Sequence, residues 1–180
     1  MPRKAYHHGD LPEQALYVAR ALIEEFGVDH TSLRAVAGKI GTTHRALYNH
    51  FADRNALLSA VAASGYRDLA AALTEANNAA QHMKIYACFA LKHPRLYGLM
   101  MQQNYKAFKT VPALRQAADA LIQVSLDTLA ASPGSDDQRR RTVMRHWMLV
   151  HGGLSLHLSG VLRTRSDEAF ITEMLAIAGL

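Results

Sequence analysis

Residues 31–54 read TSLRAVAGKIGTTHRALYNHFADR. Thr31 or Ser32 stands where a helix cap belongs, and Leu33, Val36, Ala37 and Ile40 follow as an apolar stripe at helical spacing. Gly41 ends that helix where the chain must turn sharply, a place suited to the one residue that tolerates φ > 0. Ala37, four residues earlier, is small enough to let a second helix come close. The second helix starts at Thr42 or Thr43 and runs to about Phe51. Two short helices meeting at a tight glycine turn are the sequence form of a helix-turn-helix.

The second helix divides into two faces. Leu47 and Phe51, one turn apart, are its core anchors, with Ala46 and His50 on their side. His44, Arg45, Tyr48 and Asn49 share the other side. That side offers a guanidinium, an imidazole, a phenol and an amide, and none of the four is a natural core residue. Arg can bridge guanine O6 and N7, and Asn can pair with adenine N6 and N7 in a major groove. The first turns of a recognition helix do most of the reading, and His44 and Arg45 fall there. Thr43 adds a hydroxyl at the amino end, where a helix favours phosphate.

Working outward, residues 1–9 form a polar arm carrying Arg3, Lys4, His7 and His8. Asp10, Pro12 and Glu13 mark the start of a first helix, and Gly27 sits where a left-handed C-terminal cap belongs. Asp53 is placed to cap a longer helix over 54–75. Five more helices are predicted at about 80–92, 94–106, 112–131, 137–162 and 167–178, with breaks at His93-Pro94, Val111-Pro112, residues 132–135 and 163–166. The expectation is an all-α protein of about nine helices. A three-helix head over 1–55 joins a helical body over 56–180.

Composition agrees. The 180 residues hold 30 Ala and 23 Leu against nine Val and six Ile, a bias towards helix formers over β-branched residues. One cysteine, Cys88, excludes a disulfide framework and a thiolate zinc site. The ten histidines include no His-x-x-x-His pair on one helix face, so no metal is expected. No glycine-rich phosphate loop, nucleophile elbow or paired-carboxylate motif occurs, so neither catalysis nor a cofactor is expected. No apolar stretch approaches the roughly 20 residues that span a bilayer, and the first 20 residues lack an apolar signal core, which gives a cytoplasmic expectation. The net charge of +5 permits a polyanionic partner, but residues 1–55 carry only +1 of it. A nucleic-acid reading therefore rests on geometry rather than on bulk charge.

The pattern Leu-Arg-x-Val-Ala, Gly, then Ala-Leu-Tyr-x-His-Phe-x-x-Arg-x-x-Leu-Leu resembles the DNA-binding domain of the TetR family of transcriptional regulators, over residues 10–58. The resemblance implies base or groove contacts for Arg34, His44, Arg45 and Asn49, and phosphate contacts for Thr43, Tyr48, His50 and Arg54. Arg54 stands where the family usually has Lys, and Thr42 where it usually has an aliphatic residue. Further on, His93-Pro94 with Tyr97, and Trp147-Met-Leu-Val-His151-Gly152, resemble one TetR subgroup, named for a Trp-x-x-x-His-Gly stretch in its regulatory domain. This implies a homodimer that binds a palindromic operator in double-stranded DNA, with a small-molecule effector held in the helical body. Repression is the family expectation.

Effector residues are less sharply marked. Trp147, His151, Leu154 and Leu158 form one stripe, read either as core and dimer seam or as a cavity wall around Trp147 and His151. Tyr97, Met101, Tyr105 and Phe108 form another, with Phe89 and Tyr66 of the same kind. Between Glu75 and Asp119 no acidic residue occurs, leaving Lys84, Lys92, Arg95, Lys106, Lys109 and Arg115 as a solvated basic face or an anion site. Two rival classes remain at this level. One is a small-molecule-binding helical protein or enzyme with a vestigial head, and the other an adaptor using the basic segment. DNA binding separates both from a regulator.

Overall fold

The computed structural model describes residues 11–129 and 135–180. Among these residues there are ten α-helices and no strand. They are α1 (Leu11–Phe26), α2 (Leu33–Ile40), α3 (His44–Tyr48), α4 (Arg54–Leu73), α5 (Ala79–Lys92), α6 (Pro94–Met101), α7 (Tyr105–Thr110), α8 (Pro112–Leu129), α9 (Asp136–Leu158) and α10 (Asp167–Ala178). A short 3-10 turn, Val28–His30, links α1 to α2.

Most boundaries follow from caps. Ser32, Thr43 and Asp53 each accept a hydrogen bond from the backbone N–H three residues on, opening α2, α3 and α4. Asn78 does the same for α5 and Ser166 for α10. Ser135 and Gln138 form a reciprocal capping box on α9. That box and the acidic Asp136 and Asp137 complement the helix dipole ahead of Arg139, Arg140 and Arg141, and Arg139 pairs with Asp136. Gly41 is left-handed (φ 78°, ψ 30°), with its N–H bonded to Ala37 O at 3.0 Å.

Three expectations need correction. The helix expected over 94–106 is two, because Asn104 caps a new start by accepting from Ala107 N, so the body has one more helix than the periodicity gives. The helix expected to reach 162 ends at Leu158, where Gly160 (φ 75°) turns the chain and Leu162 N–H reaches back to Leu156 O. Gly27 has positive φ as expected, but its ψ of 169° is not that of a left-handed cap. The Asp10 cap and the arm of residues 1–9 lie outside the described residues.

One core runs from head to body. Ala15, Ala19 and Ile23 of α1, Val36 of α2 and Leu47 of α3 are fully enclosed, as are Leu57 and Val61 of α4. Burial of such side chains is worth about 1.5–3 kcal/mol each relative to exposure, and it fixes the pose of α3. Helix α4 continues from the head into the body, where it packs most extensively on α8 and also on α6. A Cβ at Gly65 would sit 2.7 Å from Met100 Sδ, so a larger residue there would force the Met100 side chain to move at the α4–α6 approach. Next to it, Tyr66 donates its hydroxyl to Met100 O at 2.9 Å.

Candidate functional site

The head presents one polar face. Arg34, Thr43, His44, Arg45, Tyr48, Asn49 and His50 are all exposed, whereas Leu47 and Phe51 on the opposite side are buried. His44 and Tyr48 meet edge to face, with ring centroids 6.2 Å apart. Among the described residues only the backbone-capping Thr43 of this face has a side-chain hydrogen-bond partner, and its hydroxyl keeps a proton to donate. No exposed group of this face makes an ion pair among the described residues. Helix α3 is shorter than the sequence suggests, though His50 N and Phe51 N still bond to Leu47 O, so the helical path extends past Asn49.

Arg54 differs from the rest. It is half-buried, its Nε donates to Thr31 O at 2.8 Å, and its Nη2 donates to Val28 O at 2.6 Å. The guanidinium thereby ties α4 to the segment between α1 and α2. The planar fork of Arg holds both carbonyls in one fixed geometry, which the point charge of an ammonium does not impose.

In the body, the aromatic residues separate into two groups. Tyr97 Oη and His151 Nδ1 are 2.8 Å apart, and the Trp147 indole stacks on His151 with centroids 5.9 Å apart at 15°. Tyr86 of α5 meets Tyr97 edge to face at 6.0 Å. Tyr66 instead pairs with Phe108 at 6.1 Å, and Phe89 with His93 at 5.3 Å. Met101 is a partly buried core neighbour, and the Tyr105 side chain lies outside what the structure describes. The Trp147 stripe is divided, with Leu154 fully enclosed and Trp147 48% exposed at the rim.

Three residues went unread in the sequence. Tyr86 and His82 lie one turn apart on α5, and His146 directly precedes Trp147 on α9. All three are buried. Polar aromatics on positions that share a helix face with Met83 and Ala90 were the available signal. His82 Nε2 lies 3.0 Å from Ser125 Oγ, whose own proton goes to Leu121 O, so His82 is the donor there. Burial, and then nearby His146, push the His82 pKa down to about 4. Burial and Arg145 push His146 down as well. Burial raises Tyr66, Tyr86 and Tyr97 above the usual phenol range.

A groove of about 510 Å³ lies elsewhere, between α5 and α10. Lys84, Cys88 and Lys92 form one wall and Asp167, Glu168 and Thr172 the other, with none of the expected effector residues in its lining. The six basic residues between Glu75 and Asp119 are exposed. Of these, Arg95 is committed, donating to Glu24 O at 2.8 Å. No group of three or more His, Cys, Asp or Glu side chains among the described residues could hold a metal. No helix among the described residues is long and apolar enough to cross a membrane.

Two family profiles match the chain. The profile described as "Bacterial regulatory proteins, tetR family" matches residues 15–61. The profile described as "Tetracyclin repressor-like, C-terminal domain" matches residues 79–177. Among solved structures, a protein of unknown function from Rhodococcus sp. RHA1 is 29% identical, with a TM-score of 0.79 over 98% of this chain and 97% of that one. A TetR-like transcriptional regulator from the same source is 17% identical, with a TM-score of 0.65 over 99% and 96%. A Q116A variant of TetR from Acinetobacter baumannii AYE, solved in complex with minocycline, is also 17% identical, with a TM-score of 0.65 over 92% of each chain. No protein with a curated description matches the sequence.

Proposed function

Since the chain belongs to the TetR family of bacterial regulatory proteins, we propose that it is a cytoplasmic transcriptional repressor released from a palindromic operator by a small-molecule effector. The observation that carries this reading is the exposed polar face of α3, held in place by the enclosed Leu47 and Phe51 behind it. Arg34, His44, Arg45 and Asn49 read base edges, and Thr43, Tyr48 and His50 set register on phosphate. Arg54 has two of its three guanidinium nitrogens committed to backbone carbonyls. Its principal task is to hold the head together, and Nη1 with the second N–H of Nη2 remains for a phosphate.

Residues 1–55 act as the DNA-binding head and 56–180 as the effector-binding and dimerising body of the Trp-x-x-x-His-Gly subgroup. Support for the dimer comes from apolar side chains left at the surface of α9 and α10. Met144, Met148, Leu156, Leu158 and Ile177 are all exposed, an arrangement a second copy would cover. Two recognition helices then address successive major grooves, roughly 34–36 Å apart.

The switch runs through two links. Helix α4 is continuous from Arg54 to Tyr66 and beyond, and an Arg20–Asp68 ion pair joins it to α1. Helix α6 carries Tyr97 of the aromatic cluster, and its first turn is held by Glu24 of α1. An effector shifts DNA affinity only by binding two arrangements of these links unequally.

Selection of bound sequences from a random DNA pool tests the proposal. A two-fold symmetric motif is expected, and Arg45→Ala should cost about 1–3 kcal/mol on it and relax one position per half-site. A pool that shows no enrichment refutes DNA recognition.

A further inference from the structure

Three side-chain atoms among the described residues are buried without a hydrogen-bond partner: Tyr86 Oη, His146 Nδ1 and His146 Nε2. Native interiors satisfy nearly all such groups, because each one left bare costs about 1–3 kcal/mol. Here they come from two helices that pack on one another, α5 and α9. Trp147 and Tyr97 approach the Tyr86 hydroxyl without completing a hydrogen bond to it. The Tyr86 hydroxyl therefore borders the Tyr97–His151–Trp147 group, whose Trp147 is open on one side at 48% exposure, and His146 directly precedes Trp147 on α9. All three atoms lie on the helices of the α5–α9 seam.

The electrostatics of the place narrow its occupant. The groups that act on Tyr97 are the phenols of Tyr86 and Tyr66, and the group that acts on His82 is His146. His146 itself feels one formal charge, that of the exposed Arg145. Burial holds Tyr66, Tyr86 and Tyr97 protonated and His82 and His146 unprotonated near neutral pH. A charged ligand would lose its hydration and find no buried counter-charge. A neutral imidazole offers one donor and one acceptor, and a phenol can serve as either.

We infer that the effector is an uncharged, planar molecule bearing both a hydrogen-bond donor and an acceptor, seated against Trp147 and bonded by Tyr86 and His146. This rests on the reading of the body as an effector-binding unit.

Trp147 is the one tryptophan of the chain, so its emission reports on this site alone. Titration of the full-length protein with three isosteric planar probes separates the possibilities: benzamide is neutral, benzoate anionic and benzamidinium cationic. Benzamide should shift Trp147 emission saturably, with an affinity on the order of tenfold above both ions. Tyr86→Phe should weaken benzamide by about tenfold while melting no lower than the parent, because it removes a hydroxyl that has no partner. A lower melting temperature would mean the hydroxyl is structurally bonded, and would overturn the assignment. So would an ion that binds as tightly as benzamide, or a silent Trp147 with all three probes, which leaves water as the only occupant. These outcomes leave the regulator reading intact. That reading fails separately, if the random DNA pool shows no enrichment.

Discussion

Head and body treat spare hydrogen-bonding capacity in opposite ways. In the head, Arg34, Arg45, Tyr48 and Asn49 stand in water, where an unused donor costs nothing until DNA replaces the solvent. In the body, Tyr86 and His146 carry theirs in the interior, where bare polar atoms are expensive. The first arrangement lets the head stay folded with its ligand absent. The second makes the body sensitive to whatever fills the gap. A regulator needs both, one rigid surface and one interior with a deficit.

Arg54 is the exception on the head's side, and it gives the largest expected effect. Arg54→Ala removes two charge-assisted hydrogen bonds and strands the carbonyl of the fully buried Thr31, while Val28 O keeps the Thr31 N–H. The expected loss is about 3 kcal/mol of stability, read by urea denaturation. Arg54→Lys should recover part of it, since an ammonium cannot repeat the fork. If Arg54→Ala kept full stability and instead flattened the salt dependence of DNA binding, Arg54 would belong with the surface residues as a phosphate ligand.

The body's interior should announce itself through pH. His82 holds a pKa of about 4 in the fold, against about 6.5 when unfolded. The unfolded chain therefore binds more protons across that window, so stability is full above it and falls as pH drops from about 6.5 towards 4. Near pH 5 the loss should be about 2 kcal/mol relative to neutral pH. His146, also lowered, acts in the same direction, and the Arg145 charge beside it adds to the effect. His82→Gln should flatten the profile. A stability that is level between pH 7 and pH 5 would show that protons reach this interior freely, and the contrast with the head would vanish.

The two regions also differ in how far the sequence discloses them. The head is written locally. The Ser32, Thr43 and Asp53 caps, the Gly41 turn and the Leu47–Phe51 anchors all act within a few residues, so spacing alone reveals them. Arg54 escaped because its partners, Val28 and Thr31, lie more than twenty positions away and are backbone atoms, which leave no pattern of residue types. The body's helices were legible from periodicity, and Tyr97, Trp147 and His151 from their stripes, but which residues meet was not, and Tyr86, His82 and His146 were missed. Tyr97 meets His151 across 54 positions, and His82 meets Ser125 across 43. Tyr66 and Phe89 satisfied the same aromatic spacing rule and turned elsewhere, to Phe108 and His93. Periodicity says which face of a helix is covered, and only packing says by what.

The smallest expected change in stability falls at the seam between the regions, and it tests whether they are coupled at all. Helix α6 starts at Pro94 with no side-chain cap of its own from His93. Glu24 at the end of α1 supplies it, accepting from Leu96 N at 3.2 Å, with His93 Nδ1 3.8 Å away. A carboxylate there satisfies a free N–H and complements the helix dipole, worth about 1 kcal/mol. Glu24→Ala should cost that much in stability, and Glu24→Gln less, because the amide oxygen can still accept. The effect on signalling should be disproportionate. Tyr97 sits one residue after the capped N–H, so loosening α6 frees the aromatic cluster from α1 while leaving α3 untouched. Affinity for the selected DNA should then stay within about twofold of the parent, while the shift that a bound ligand produces in that affinity shrinks. Equal shifts in parent and Glu24→Ala would place the coupling wholly in α4, the other element that runs from the DNA face to the interior.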